Sequence, residues 1–225
     1  MIAYVPARLG SKRIKYKNIR KVNGKPLICY VIENLQKLKF IEKICVSTES
    51  KKIIKIIKHL NVVTNGLRSK KLADDKTNFI DLIKEDLGRF VDNIDDQDIL
   101  FVLPTAILIT QNIFRDAYNI YKKKKPDVLM SCTYNNPFFS LVLKKNNWKP
   151  LFKNKIHFNT QDLPKSIIDS GSFYFFNFKK IKKFDSLKNV KKLEPYILKN
   201  KNSLDLDYLE DFDELKFKAS ILYNT

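Results

Sequence analysis

The chain has 225 residues, 44% of them hydrophobic, and a formal net charge of +19. That length predicts one domain with a sizeable core, and no run of residues approaches the roughly 20 apolar positions of a membrane-spanning helix. The first strand begins at once, so no leader peptide is expected. Cys29, Cys45 and Cys132 form no Cys-x-x-Cys pair and are expected to be buried thiols of a cytoplasmic protein. The positive charge invites a nucleic-acid-binding reading, but its make-up weighs against that. Only six of the 43 basic residues are arginine, and the lysines are scattered apart from dense stretches at 122–125 and 179–183. No RNA-recognition, helix-turn-helix or zinc signature is present. A field of this sign would also attract small anionic substrates.

Ile2–Val5 reads as a buried strand, stopped by Pro6, which has no N–H for a ladder. A basic stretch follows with Arg8, Lys12, Arg13, Lys15, Lys17 and Arg20, and with Gly10 and Ser11 at its bend. Backbone N–H groups and cations converging after a first strand make an anion site, and a nucleoside triphosphate suits such a loop best. On charge alone, a solvated basic loop is an equal alternative. Leu27, Ile28, Val31, Ile32, Leu35 and Leu38 have helical spacing, with Pro26 suited to the first turn. Lys43–Thr48 predicts a second buried strand. Glu49 and Ser50 open a helix with Ile53, Ile54, Ile57 and Leu60 on one face, and Val62-Val63 predicts a short third strand. This β-α-β-α-β start predicts an open α/β sheet with ligands at the carboxyl ends of its strands.

A helix is expected over about Phe79–Phe90, capped by Thr77 or Asn78. Asp98–Thr105 predicts a fourth strand ending in a Pro104-Thr105 turn, followed by a helix from about Thr110 to Lys123. Asp127–Thr133 predicts a fifth strand, Phe139–Leu143 a strand-like run, and Trp148–Pro150 an irregular arm. Gly171 stands at the start of a further strand, where glycine permits close backbone approach to a ligand. Gln161 and Asp169 flank that strand as polar groups of the kind sugar recognition requires; a loop and a strand-entry turn is the plainer reading. Asp205 and Asp207 lie at i and i+2 of a strand-like stretch, so both face one side, opposite Leu204 and Leu206. Two carboxylates on one face repel unless a cation sits between them, and Mg²⁺ takes one or two carboxylates plus phosphate oxygens and water. Taken alone, the pair fits a solvated strand end better. Asp211 and Glu214 are expected to serve the start of the last helix.

Four of these segments, in this order, resemble the CMP-sialic acid synthetase group of nucleotidyltransferases, which transfer CMP from CTP to nine-carbon acidic sugars. Pro6, Ala7, Arg8, Gly10, Ser11, Lys12, Lys17 and Asn18 match its signature loop, with Leu9 in place of a glycine and Lys15-Tyr16 where a proline is common. Asp75 and Thr77 match a small segment that contacts the nucleotide, although a plain N-cap is the simpler role for Thr77. Pro104, Thr105 and Ala106 match the end of a strand, with Ile107 replacing a proline. The block at 160–174 resembles the pseudaminic acid cytidylyltransferases through Thr160, Gln161, Asp162, Leu163, Asp169, Gly171, Phe173 and Tyr174. Ile168, Ser170 and Ser172 depart from that pattern. Asp205 and Asp207 occupy the place of the group's paired metal-binding aspartates.

The resemblance implies a single domain over residues 1–225 with a three-layer, Rossmann-like nucleotidyltransferase fold. Its central sheet would be mixed and mostly parallel, with a small protruding dimerisation element at about 135–160. Arg8, Lys12 and Lys17 would hold the phosphates as catalytic cations. Pro6, Ala7, Gly10, Ser11, Asn18, Asp75, Thr77, Pro104 and Thr105 would complete the nucleotide site. Thr105, Gln161, Asp162, Asp169, Gly171, Phe173 and Tyr174 would meet the sugar, and Asp205 and Asp207 would hold Mg²⁺, with Mn²⁺ able to substitute. The implied reaction converts CTP and pseudaminic acid into CMP-sugar and pyrophosphate, for surface glycans or flagellar glycosylation, in a cytoplasmic homodimer. The nearer rival is the same chemistry on a legionaminic, N-acylneuraminic or eight-carbon ulosonic acid. The rival from another class is a basic, non-catalytic nucleic-acid-binding protein. Neither His59 nor His157 lies in a motif, so no protein base is assigned.

Overall fold

The computed structural model describes residues 1–74 and 77–223; Asp75 lies outside the described residues. The chain begins with β1 (Ile2–Pro6), β2 (Lys21–Val22) and β3 (Lys25–Pro26), then α1 (Leu27–Gln36), β4 (Lys43–Ser47), α2 (Lys51–Ile57) and α3 (Phe79–Asp86). It continues through β5 (Asp98–Val102), α4 (Gln111–Lys124), β6 (Val128–Asn135), β7 (Leu141–Lys144) and β8 (Asn147–Pro150). It ends with β9 (Ser166–Asn177), α5 (Phe178–Ile181), β10 (Leu193–Ile197) and α6 (Leu209–Tyr223).

Six strands form one sheet in the order β10-β6-β9-β5-β1-β4. β1 runs parallel to β4 and β5, and β10 parallel to β6. Only β9 is reversed, antiparallel to both β5 and β6. The strands are apolar on both faces, as a sheet covered on both sides requires. Alternation then divides the core. Ala3, Val5, Leu100, Phe173 and Phe175 pack with α1, α2, α4 and α6. Their neighbours Ile2, Tyr4, Ile99, Phe101, Tyr174 and Phe176 pack with α3 and α5. Three layers follow, helices on both faces of a mixed, mostly parallel sheet, which is the architecture that the resemblance implied. Among the described residues, no helix is long and apolar enough to cross a membrane.

Several local expectations change. Pro26 is the extended N-cap of α1, outside its first turn, because it pairs with Lys21 in a two-residue ladder. Val62-Val63 is no strand: Val63 makes a single parallel bridge to Cys45, and a turn at Gly66, with φ +69°, carries the chain away. Asn78 caps α3 by accepting from the Asp81 N–H, a contact worth about 1 kcal/mol. Thr77 instead donates to the Lys71 carbonyl at 2.9 Å. The run expected over Phe139–Leu143 and the irregular arm resolve into a β7–β8 hairpin. Lys145 and Asn146 both take positive φ at its turn, which matches the twist of the flanking strands. Residues 203–207 have no ladder partner and form an extended loop.

Candidate active site

Beyond the carboxyl ends of β1 and β5, the sheet opens onto a cleft of about 350 Å³. The loop after β1 forms one wall, contributing Pro6, Arg8, Lys17 and Asn18. Its shape comes from internal pins. The Ala7 N–H donates to Ser47 O at 2.8 Å, extending the β1–β4 ladder, and Ala7 is fully buried. Ile14 inserts into the core, the Lys17 N–H closes onto Ile14 O at 3.1 Å, and Asn18 Nδ2 donates to Arg8 O at 2.8 Å. Tyr16 turns the chain with φ +59°. Gly10 needs no special conformation and a Cβ there would meet open space; Gly10 and Lys12 are exposed, and Ser11 is half-buried, beyond the cleft's lining.

The acidic segment 203–207 meets this loop. Leu206 is buried while Asp205 is exposed and Asp207 half-buried, so the carboxylates flank an apolar anchor. Lys17 Nζ donates to Leu206 O at 2.7 Å, and Arg13 Nη1 pairs with Asp207 Oδ2 at 2.5 Å. Asp211 accepts from the N–H groups of Asp207 and Tyr208 at 2.7 and 2.6 Å, fixing the turn into α6. Glu214 does not share that task; it pairs with Lys218 one turn further on. Partial desolvation and then repulsion from Asp207 raise the pKa of Asp205, against the pull of Lys17 and Arg13. Desolvation lowers that of Lys17, while Asp205 and Asp207 oppose the shift.

These shifts test the fit of a metal. Asp205 is held above its usual range by desolvation first and by Asp207 second, and a cation beside the two carboxylates would relieve their repulsion. Among the described residues, no group of three or more His, Cys, Asp or Glu could hold a metal ion alone. Asp205 and Asp207 are two carboxylates on one segment, and two is within the number of protein carboxylates that Mg²⁺ takes when phosphate and water complete its shell.

The far wall carries Thr77, Pro104, Thr105 and Tyr174. The Tyr174 ring sits 4.6 Å from Phe79, which sits 4.5 Å from Phe101, making an aromatic floor. The Tyr174 hydroxyl donates to Asp169 Oδ2 at 2.5 Å, and burial followed by Asp169 keeps its pKa far above the ordinary tyrosine value. Asp169 Oδ1 also accepts from the Gly171 N–H at 2.8 Å. Gly171 lies inside β9, where its register with β6 shifts between Met130 and Cys132, and has φ +60°. A Cβ there would make only an ordinary contact, 3.8 Å from Leu103 Cδ1. The glycine thus serves the bulge, not close approach of a ligand.

The structure does not gather every expected sugar contact. Phe173 is fully buried on the other face of the sheet, against Phe114 and Tyr196, because successive β9 residues alternate. Its side chain presents no surface to a substrate. Gln161 and Asp162 are exposed on a short turn outside the cleft's lining. His59 and His157 are exposed and line none of it.

Arg68 is the residue that sequence reasoning missed. Its side chain lines the cleft yet is only 3% exposed, and its Nε has no hydrogen-bond partner. One guanidinium nitrogen lies 3.5 Å from Glu49 Oε2, and its backbone N–H donates to Thr48 O at 2.8 Å. A buried cation with an unsatisfied donor suits an anionic ligand. The available signal was rarity: Arg68 is one of only six arginines in a lysine-rich chain.

A family model described as Cytidylyltransferase matches residues 2–224. A pseudaminic acid cytidylyltransferase of Campylobacter jejuni is 31% identical over 185 residues, covering 77% of this chain and 77% of the relative. A CMP-N,N'-diacetyllegionaminic acid synthase of Legionella pneumophila is 33% identical over 123 residues, covering 54% of this chain and 53% of the relative. Among solved structures, a CMP:2-keto-3-deoxy-manno-octonic acid synthetase complexed with CTP superposes with a TM-score of 0.71 at 11% identity, covering 100% of this chain and 99% of the other, a likeness of fold.

Proposed function

The chain belongs to the cytidylyltransferase family, and we propose that it transfers CMP from CTP to a nonulosonic acid, pseudaminic acid in the first instance. The observation that carries this reading is that Lys17, which lines the cleft beside Arg8, also holds the Asp205–Asp207 segment through Leu206 O, so the carboxylates adjoin the cleft without lining it. Cations for a triphosphate and carboxylates for a divalent ion stand against each other, as phosphoryl chemistry requires.

In this reading Arg8, Lys17 and Arg68 hold the phosphates, with Lys12 at the mouth. Asn18 keeps Arg8 in place through its backbone, and Pro104, Thr105 and the aromatic floor border the nucleoside and sugar. Asp169 and Tyr174 act as one hydrogen-bonded unit toward the sugar. The anomeric hydroxyl oxygen bonds to the α-phosphorus, the bond to the β-phosphate bridging oxygen breaks, and pyrophosphate leaves. The hydroxyl proton passes to solvent, since neither histidine lies in the cleft. Asp205 and Asp207 would hold Mg²⁺, which neutralises phosphate charge when bound.

The same reading makes the protein a cytoplasmic homodimer. Its cysteines are free and buried, which suits a reducing compartment. The hairpin and the chain around it expose Leu141, Leu143, Trp148, Leu151 and Phe158, an apolar patch of the kind that marks an interface. Product for surface or flagellar glycans follows from the sugar class. A legionaminic acid substrate is the second reading, which the Legionella relative supports. Pyrophosphate release with each nucleoside triphosphate against a panel of nonulosonic acids decides between them. Activity confined to CTP with pseudaminic acid supports the first reading; turnover of legionaminic acid alone replaces it.

A further inference from the structure

We propose that Glu49 is a positioning residue that fixes the amino-terminal loop and Arg68 in one geometry. It rests on the reading that the cleft binds the triphosphate of CTP. Glu49 follows β4 and has both carboxylate oxygens engaged. Oε1 accepts from the Leu9 N–H at 2.7 Å, and Oε2 faces the Arg68 guanidinium at 3.5 Å. Leu9 directly follows Arg8, so the first contact sets where the loop carries that cation. The second orients a buried arginine whose Nε remains unsatisfied. One side chain thereby joins two cationic walls that are distant in sequence.

The backbone around Glu49 is rigid enough to transmit that constraint. Thr48 O accepts from the Arg68 N–H at 2.8 Å, and Thr48 Oγ1 accepts from the Ser50 N–H at 3.1 Å. On the far side, Arg89 donates to the carbonyls of Asn65 and Leu67 at 2.9 and 3.3 Å, and its Nε donates to the fully buried Asp86 at 2.8 Å. Asp86 in turn accepts from the Tyr4 hydroxyl on β1. The segment that leads into Arg68 is therefore held from two sides, by Arg89 and by Thr48. Glu49 is the member of this set whose side chain faces the cleft cation itself, and it does not line the cleft. Charge geometry of this kind is preorganisation: the donors need not be gathered when the ligand arrives.

Glu49→Gln separates the two contacts, because the amide oxygen still accepts from Leu9 while the carboxylate charge that faces Arg68 is lost. The test measures CTP binding by calorimetry without sugar, thermal melting, and steady-state kinetics. Melting is expected to stay within about 2 °C of wild type. CTP affinity should fall roughly tenfold and KM for CTP rise equally, with kcat within about twofold. Arg68→Lys should show the same loss, and adding Glu49→Gln to it should change nothing further. Should the glutamine variant melt early, Glu49→Asp carries the test, since it keeps the charge but cannot span both partners. Unchanged CTP affinity in a folded Glu49 variant, or full additivity with Arg68→Lys, overturns the proposal. Failure of the wild type to bind CTP would instead overturn the functional reading.

Discussion

Arg13 Nη1 lies 2.5 Å from Asp207 Oδ2, so the loop that faces the acidic pair already supplies one of its counter-charges. The guanidinium is 59% exposed and Asp207 29%, which makes this a weak pair of about 1 kcal/mol or less. A divalent ion held at Asp207, as proposed, would compete with Arg13. Arg13→Ala is expected to tighten Mn²⁺ binding to the nucleotide-free protein by up to about fivefold. Electron paramagnetic resonance titration of Mn²⁺ checks this; unchanged or weaker binding would show that Arg13 is no competitor.

Arg8→Ala should remove nearly all turnover, on the order of a hundredfold or more, by deleting a cation aimed at developing phosphate charge. The Arg8 carbonyl would still accept from Asn18, so melting should barely change. Pyrophosphate release together with a thermal melt measures both, and wild-type turnover would remove Arg8 from the site.

Chelation should abolish activity, and Mg²⁺ or Mn²⁺ should restore it. Asp207→Asn should lose on the order of a hundredfold in kcat. In the metal-free protein, Asp205 has its pKa raised by partial desolvation and by Asp207. Its folded form therefore holds a proton more tightly than the unfolded chain, and stability is lost as pH rises from the ordinary aspartate pKa through the raised one. Removing the Asp207 charge should narrow that loss. Melting curves from pH 4 to pH 7 check this sign, and normal turnover of Asp207→Asn at limiting Mg²⁺ would move the metal elsewhere.

Lys17 gives a prediction on the alkaline side. Desolvation lowers its pKa, so it loses charge below the pH at which an ordinary lysine does. CTP affinity should weaken across that window, and Lys17→Arg should extend the alkaline limit, since arginine stays charged. Binding isotherms from pH 7 to pH 10 that superpose for wild type and variant would contradict the assignment.

The hairpin supplies the last prediction. Trp148 on β8 is 67% exposed. Trp148→Glu should shift the protein from dimer to monomer in light scattering at micromolar concentration without lowering its melting temperature. A wild-type monomer under those conditions would contradict the homodimer.

What could be read from the chain alone followed local rules. Apolar runs located β1, β4 and β5, since buried parallel strands have few other compositions. Arg8 and Lys17 were visible because chemistry and sequence position coincide in one loop. Arg68 was not, since its burial depends on Thr48, Glu49 and Arg89, which no period or spacing connects to it. Phe173 was misplaced for a related reason. A motif names neighbouring residues alike, but a strand sends Phe173 and Tyr174 to opposite faces, and only the sheet's layers decide which face holds the cleft. The β7–β8 turn escaped notice because Lys145-Asn146 lacks the glycine that usually marks such turns.

The reversal of β9 has a consequence for engineering. Its first four residues leave the hairpin region and pair with β6 alone, whereas its last five pair with β5 in the centre of the sheet. Gly171 separates the two stretches with its bulge and positive φ. A chimaera that takes another protein's residues from the end of β6 to Ile168, and keeps Asp169 onward, would leave the Asp169–Tyr174 pair, the aromatic floor and the loop after β1 in place. The joint is a natural seam for recombination, at which the hairpin region can be exchanged while the central strands and the loop after β1 are inherited whole.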